Sequence, residues 1–246
     1  MSTILPRVAF VHIPRTAGTA FGRMLESVYE GRAIADFYAD ANDPVVNARI
    51  ERFLALEQAA KDSFALLKGH FVRGFDPALA AVQHVTLLRE PLPRLVSYYF
   101  YALREDRHYL HPYLMQRRLG LEAFLASDAS LDLDNYQVRA VSGCRFESAR
   151  ERVTQAHCDE AKRQLEHGFA AFGLMERLDE SLALIARTVG WRLPPTIRAN
   201  TGSYDPALVI SEPCRERFLQ KNRFDVELLA FARELFDRRL AASSPF

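Results

Sequence analysis

The sequence contains few cysteines, and their positions exclude two classes of protein. Among the 246 residues only Cys144, Cys158 and Cys214 are cysteines, and no two of them have the Cys-x-x-Cys spacing. The chain is therefore neither a disulfide framework nor a cysteine-based zinc site, and the pattern favours a reducing compartment. A chain of this length buries ~70% of the surface that its unfolded form exposes, so it needs no metal or disulfide to hold its fold.

The sequence also lacks an excess of positive charge and any long apolar run. Its formal net charge is +1, whereas nucleic-acid binders carry a strong basic excess, so we expect no nucleic-acid partner. No run approaches the ~20 apolar residues of a membrane helix, and the first residues, MSTILPRVAFVHIP, lack the regions of a signal peptide. We therefore expect a cytoplasmic protein without a membrane span. A homo-oligomer stays open, because the sequence does not fix the oligomeric state.

Short apolar runs alternate with stretches of helical periodicity, and this alternation predicts an α/β fold. Strands are predicted at residues 8–13, 64–67, 84–88 and 170–175. Helices are predicted at 19–29, 44–61, 91–104, 178–189 and 224–240, with several more between 113 and 167 and a loop at 31–44. This order indicates a central parallel sheet flanked by helices, and without a linker we expect one domain over residues 1–246.

The first predicted strand ends in HIPRTAGTA, which we call the first loop (residues 12–20). Ligands of such sheets bind beyond the carboxyl ends of the strands. Gly18 permits close backbone approach, Arg15 adds a charge, and the N–H groups at the start of the next helix favour an anion. It is not a Walker A loop, because the cation precedes the only glycine. The loop alone is equally compatible with a plain strand-to-helix turn capped by Thr19.

A second segment, REPLPRLVS, follows the strand predicted at 84–88. Arg89 stands at the carboxyl end of that strand, at the same edge as the first loop, and Ser97 lies on the next helix with Arg94 one turn earlier. An arginine and a hydroxyl in this arrangement can hold a phosphate. Alternatively, Arg89 pairs with Glu90 or with a helix carboxylate.

The two segments together resemble the sulfotransferases that use 3′-phosphoadenosine-5′-phosphosulfate (PAPS). HIPRTAGTAF is similar to the HIPKTGGTS-type loop of carbohydrate sulfotransferases related to heparan sulfate 2-O-sulfotransferase, and LLREPLPRLVSYYFYALRED is similar to the family's 3′-phosphate segment. Weaker similarities follow in the family's order at residues 68–71, 134–143 and 172–176. The matches run in short blocks from residue 8 to about residue 240. The family usually has lysine at the position of Arg15.

The resemblance implies a P-loop-like domain and an enzyme that moves a sulfuryl group from PAPS to a hydroxyl acceptor, without a metal. The product nucleotide is 3′,5′-adenosine bisphosphate (PAP), and the acceptor is expected to be a carbohydrate or glycoconjugate. His70 is the expected base, and Arg15 stabilises the leaving phosphate electrostatically, because a guanidinium does not give up a proton. The donor-binding residues are expected to be Arg15, Thr16, Ala17, Gly18, Thr19 and Ala20 for the 5′-phosphosulfate, Arg89 and Ser97 for the 3′-phosphate, and Asn200, Thr201 and Ser203 in a loop over the nucleotide.

Several alternatives stay open at this point. The acceptor contacts are predicted among Arg73, Arg104, Arg107, His108, Tyr109 and His111, although each also fits a solvated helix end. The segment 198–204 also fits a plain surface turn. His70 also fits a structural histidine, and His12 is interpreted as structural because it ends an apolar strand. The rival functions are a nucleotide kinase with a degenerate loop, and a non-catalytic nucleotide-binding domain.

Overall fold

A computed structural model describes residues 5–38, 46–144, 151–192 and 209–242 of the chain. It contains a sheet of five parallel strands in the spatial order β2-β3-β1-β4-β5. The strands are β1 (Val8–Val11), β2 (Ile34–Phe37), β3 (Leu66–Gly69), β4 (Gln83–Leu88) and β5 (Ala171–Leu174). The predicted α/β fold, with a central parallel sheet flanked by helices, is confirmed.

Helices precede or follow every strand. They are α1 (Gly18–Val28), α2 (Val46–Leu54), α3 (Gln58–Ser63), α4 (Pro91–Arg104), α5 (His111–Arg117), α6 (Leu121–Ala126), α7 (Tyr136–Ser142), α8 (Gln155–Arg163), α9 (Leu178–Val189), α10 (Glu212–Lys221) and α11 (Arg223–Ala242). Within the described ranges, no helix combines the length and the apolar character that crossing a membrane requires.

Three elements differ from the sequence prediction. Residues 31–44 were predicted as a loop, but β2 lies there as a four-residue edge strand, which is too short for a clear periodic signal. The single helix predicted at 44–61 is two helices, α2 and α3. Helix α10 was not predicted, because polar residues dominate its surface and only Cys214 and Phe218 are buried.

The apolar runs form a core on both faces of the sheet, because successive residues of a strand point to opposite faces. In β1, Val8 and Phe10 pack on one face of the sheet with residues of α1 and α9. Ala9 and Val11 pack on the other face with residues of α7, α8 and α11. All four are fully buried, as expected for a parallel strand covered on both sides. A third apolar cluster joins α4, α5, α6 and α10 away from the sheet.

The strand order determines where ligand-binding residues meet. Strand β1 lies in the centre, between β3 and β4. The chain passes from β1 to the β2–β3 side of the sheet and then crosses to β4 on the other side. Crevices of this kind, at the carboxyl ends of the strands where the connections change direction, are where α/β sheets bind ligands.

Candidate functional site

The three central strands bring three predicted segments together at one edge of the sheet. The first loop follows β1, His70 follows β3 directly, and Arg89 follows β4 directly. Direct hydrogen bonds join the segments: His70 Nδ1 donates to the carbonyl oxygen of His12 over 2.8 Å, and Arg89 Nη1 donates to that of Arg15 over 3.0 Å. The three segments, which the sequence placed at the ends of strands, therefore lie together at one edge of the sheet.

The first loop has a strained backbone. Arg15 and Ala17 have φ angles of 68° and 66°, in the left-handed region that residues with a side chain rarely adopt. Such conformations cost on the order of 1–3 kcal/mol each and cluster at ligand-binding sites. Thr16 is fully buried, and its hydroxyl donates to the carbonyl oxygen of Ile13 over 2.8 Å, which holds the turn.

The loop presents a row of unsatisfied donors. The amide N–H groups of residues 16 to 19 donate to no acceptor among the described residues. They lie where helix α1 begins, so the positive end of the helix dipole adds to their attraction for an anion. Ala20 differs from its prediction as part of this cradle, because its N–H donates to the carbonyl oxygen of Ala17 over 3.1 Å.

Gly18 is required by the close approach of a neighbouring side chain. A Cβ atom at this position would lie 2.0 Å from both Cδ2 and Nε2 of His12. No real contact is that short, so any side chain here displaces the His12 ring or the loop. The imidazole of His12 therefore lies directly against the start of α1.

A buried ion pair between Arg94 and Asp132 supports the first loop. Arg94 is fully buried, and its Nη1 donates over 2.9 Å to Oδ1 of Asp132 and over 3.5 Å to the carbonyl oxygen of Pro14. Its Nη2 donates over 2.6 Å to the carbonyl oxygen of Asp132. Breaking a buried pair of this kind by removing one partner costs ~3–5 kcal/mol, because the other charge is left uncompensated. Arg94 is thus a support of the loop.

Arg15 links the first loop to helix α4. Its Nε donates to Ser97 Oγ over 3.0 Å, and its guanidinium lies over the ring of Tyr101, 4.6 Å from the centroid. Ser97 accepts this bond and keeps its own hydroxyl proton for another acceptor. Ser97 and Arg15, predicted for separate phosphates, are therefore direct neighbours.

Gln137 holds the backbone of Arg89, and most N–H groups of the Arg89 guanidinium have no acceptor among the described residues. The side-chain amide of Gln137 accepts from the Arg89 N–H over 3.0 Å and donates to the Arg89 carbonyl over 2.8 Å. Glu90, the alternative partner, pairs with Arg233 instead. No carboxylate in the described part of the chain pairs with Arg89, whose side chain makes only the bond to the Arg15 carbonyl.

The hydrogen bond of His70 decides which of its nitrogens is basic. Because a carbonyl oxygen only accepts, Nδ1 carries the ring proton and Nε2 carries the lone pair. Burial lowers the pKa of His70 below its usual 6.5, against smaller raising contributions from the bond to His12 and the charges of Asp132 and Asp36. The ring is consequently neutral at pH 7, with a basic Nε2 at the carboxyl end of β3.

The predicted acceptor residues separate into two groups. Arg73 lies at the opposite, amino edge of the sheet, where its Nη2 donates over 3.1 Å to the carbonyl of Gly168, three residues before β5 begins. This position does not fit the predicted contact with the acceptor. The short separation between His70 and Arg73 in the sequence does not reveal that the chain reverses direction between them. Arg104 and Arg107 are exposed near the end of α4. His111 begins α5 and donates from Nδ1 to the carbonyl of Ala102 over 3.1 Å.

An aromatic surface adjoins Arg15 on the side of α4. The rings of Tyr101 and His108 are 5.6 Å apart, and the His108 ring stacks on that of Tyr109 at 4.9 Å. Tyr109 is 63% exposed, and its hydroxyl is 2.7 Å from Ser130 Oγ. Aromatic rings beside hydroxyl groups suit an acceptor with apolar faces and hydroxyl groups.

Sequence reasoning missed some residues that position the site. Gln137, Asp132, Tyr38 and Tyr101 act through contacts between distant segments, which local periodicity does not reveal; the block at 134–143 was the only signal for Gln137. Asn200, Thr201 and Ser203, predicted to cover the nucleotide, lie outside the described residues. The described residues contain no group of three or more metal-ligating side chains that would hold a metal.

Comparison of the chain with protein-family models and with curated proteins gives no match, so the resemblance to sulfotransferases rests on the motifs themselves.

Proposed function

We propose that the protein is a PAPS-dependent sulfotransferase that transfers a sulfuryl group to a hydroxyl acceptor. The observation that carries this proposal is the junction at the three central strand ends. There, a row of amides and an arginine that have no acceptor and no carboxylate partner, respectively, among the described residues lie beside a neutral histidine with a lone pair on Nε2. Direct hydrogen bonds join the segments that carry them.

The donor carries anionic groups at both ends of its ribose, and the site supplies donors for both. The amides of residues 16 to 19 and the charge of Arg15 suit the 5′-phosphosulfate. The guanidinium of Arg89 and the hydroxyl proton of Ser97 suit the 3′-phosphate, because charge-assisted bonds to phosphate are strong and directional. Gln137 fixes the backbone of Arg89 at the strand end.

The transfer itself needs in-line placement and charge stabilisation. The acceptor oxygen attacks sulfur while its proton passes to Nε2 of His70. The bond between sulfur and the bridging oxygen breaks, and its electron pair stays on the 5′-phosphate of the departing PAP. Arg15 and the loop amides stabilise the charge that develops there.

The acceptor is proposed to be a carbohydrate or glycoconjugate in the cytoplasm. The aromatic surface of His108 and Tyr109 lies on the Arg15 side of the site, and aromatic faces pack against the apolar faces of sugar rings. The cysteines are unpaired, in agreement with a reducing compartment.

Two rival functions have weaker support. A P-loop kinase uses a lysine followed by a Ser/Thr after its second glycine to hold phosphates and magnesium, and this loop has a single glycine and no lysine. A non-catalytic nucleotide-binding domain has no use for a neutral, basic histidine beside its anion site, where His70 lies.

The experiment that tests this proposal measures nucleotide discrimination. Arg89→Ala should weaken PAP binding by ~10-fold or more while leaving the affinity for 5′-AMP nearly unchanged, since only PAP carries the 3′-phosphate. Isothermal titration calorimetry with both nucleotides provides the comparison. Arg177→Ala is the matched control, because Arg177 lies shortly after strand β5 of the same sheet but pairs with Glu180 and Asp237. Equal losses for both nucleotides in Arg89→Ala would contradict the assignment.

A further inference from the structure

Two histidines stand side by side at the site, although only one was predicted to act. The rings of His12 and His70 have their centroids 4.7 Å apart. Each ring uses Nδ1 for a hydrogen bond to the protein: His70 to the carbonyl of His12, and His12 to the hydroxyl of Tyr38 over 2.6 Å. Neither Nε2 atom has a hydrogen-bond partner among the described residues.

The partner of His12 determines its tautomer. The Tyr38 hydroxyl has no other partner among the described residues, so donation to Nδ1 is the arrangement that satisfies its proton. The ring proton of His12 then lies on Nε2. Burial lowers the pKa of His12 well below 6.5, with further lowering by His70, Lys68 and Arg15, so this ring is neutral as well. The two neighbouring rings thus have opposite tautomers, one with a lone pair at Nε2 and one with a proton there.

The position of His12 places its Nε2 proton beside the route of the transferred group. The imidazole is 6% exposed, and its Nε2 lies against Gly18, at the start of α1 where the unsatisfied amides point. On its other side lies His70. The transferred group must travel from a donor held by the loop to an acceptor oxygen at His70, and it therefore passes His12.

We propose that His12 is a second catalytic residue, whose Nε2–H donates a hydrogen bond to a sulfuryl oxygen during transfer. This inference rests on the proposed sulfotransfer. His12 keeps its proton throughout: the acceptor proton goes to His70, and the electron pair of the broken S–O bond stays on PAP. The bond holds the sulfuryl group in line between the acceptor oxygen and the leaving oxygen, which is the placement that the transfer requires.

A supporting network keeps the ring in place. Tyr38, whose ring also contacts His70 at 5.0 Å, lies under the ammonium group of Lys68 at 4.7 Å. Lys68 is buried and bonds to Asp36 over 2.6 Å and to Glu26 over 2.9 Å. Strand β2, helix α1 and strand β3 therefore converge on Tyr38, which makes Tyr38 a positioning residue for His12.

The test compares two replacements of His12 that differ in their donor. His12→Phe keeps the ring volume without an N–H, and His12→Gln carries an amide N–H near the former Nε2. The assay follows release of PAP from PAPS, with p-nitrophenyl glycosides as acceptors, alongside PAP binding. His12→Phe should lose ~10²-fold in kcat with nearly unchanged PAP affinity, and His12→Gln should recover a substantial part. PAP lacks the sulfuryl group, so its binding reports the loop and not the proposed bond.

Two further variants keep the outcome unambiguous. His84→Phe is the matched control, because His84 is also buried but lies at the amino end of β4, bonded through Nδ1 to the carbonyl of Val82. It should retain the parental kcat. Tyr38→Phe leaves the His12 ring in place but removes the hydroxyl that fixes its tautomer, so it should lower kcat, although less than His12→Phe does. This variant tests the role of His12 even where His12→Phe folds poorly.

The outcomes separate this inference from the proposed function. If the parent neither binds PAP nor releases it from PAPS, the proposed function fails. If the parent is active and both His12→Phe and Tyr38→Phe match its kcat, only the role of His12 is overturned. Parallel losses in kcat and PAP affinity, without recovery in His12→Gln, would also overturn it, since they indicate a purely structural residue.

Discussion

His70→Ala should lower the rate of sulfate transfer by ~10²-fold or more while PAP binds nearly as tightly as to the parent. The variant loses the Nε2 lone pair that is proposed to take the acceptor proton, and this atom has no proposed part in holding the donor. Transfer from radiolabelled PAPS gives the rate, and calorimetry gives the affinity for PAP. A general base contributes to the chemical step alone, so kcat and binding should separate.

His70→Asn provides the matched control for a structural role. Its side-chain N–H lies near the former Nδ1 and retains the bond to the His12 carbonyl, but it carries no base. Loss of rate in both variants agrees with a catalytic role. Full activity in His70→Asn would mean that His70 only ties β3 to the first loop.

The same assignment fixes the direction of the pH dependence. The base acts when its imidazole is neutral, and burial holds the pKa of His70 below 6.5. The parental rate should therefore persist from neutral pH down to about 6.5 and fall as the pH drops through the lowered pKa. An acid limb centred clearly above 6.5 would point to a different titrating group.

Arg15→Met should lose most of the transfer activity, of the order of 10²-fold or more, whereas Arg15→Lys should retain much of it. Methionine removes the charge that is proposed to stabilise the leaving phosphate. Lysine restores the charge and adds a proton donor, although it gives up the planar contacts with Ser97 and Tyr101. Rates with radiolabelled PAPS under saturating donor decide between the two variants.

Arg23→Met is the control for this pair, because Arg23 is an exposed arginine on the same helix that follows the loop. It should behave as the parent. An unchanged rate in Arg15→Met would remove Arg15 from the mechanism and leave the amides of residues 16 to 19 as the stabilising groups.

The sequence predicts the parts of the site that lie directly after the ends of strands. Apolar runs predict β1, β3 and β4, and parallel strands place their carboxyl ends at one edge, so the first loop, His70 and Arg89 follow directly. Pro91 and the helical spacing likewise predict α4 to the residue.

The remaining parts depend on contacts that no local pattern encodes. Arg73 follows His70 by three residues, yet the chain reverses between them and carries Arg73 to the amino edge of the sheet. Gln137 reaches Arg89 from a helix 48 positions away along the chain. Tyr38 fixes His12 from the end of an edge strand that the sequence pattern did not predict. An alternating pattern of four residues is too short to distinguish from a loop.

The central claim is that the site binds a bisphosphate nucleotide without a metal, and thermal unfolding of the parent protein in EDTA tests it most directly. PAP at ~100 times its Kd should add about 2.7 kcal/mol to the free energy of unfolding, which corresponds to a rise in Tm of about 2–4 °C per kcal/mol for a protein of this size. The same concentration of 5′-AMP should give a smaller rise. A rise that appears only with ATP and magnesium, and not with PAP in EDTA, would contradict the sulfotransferase and favour the kinase.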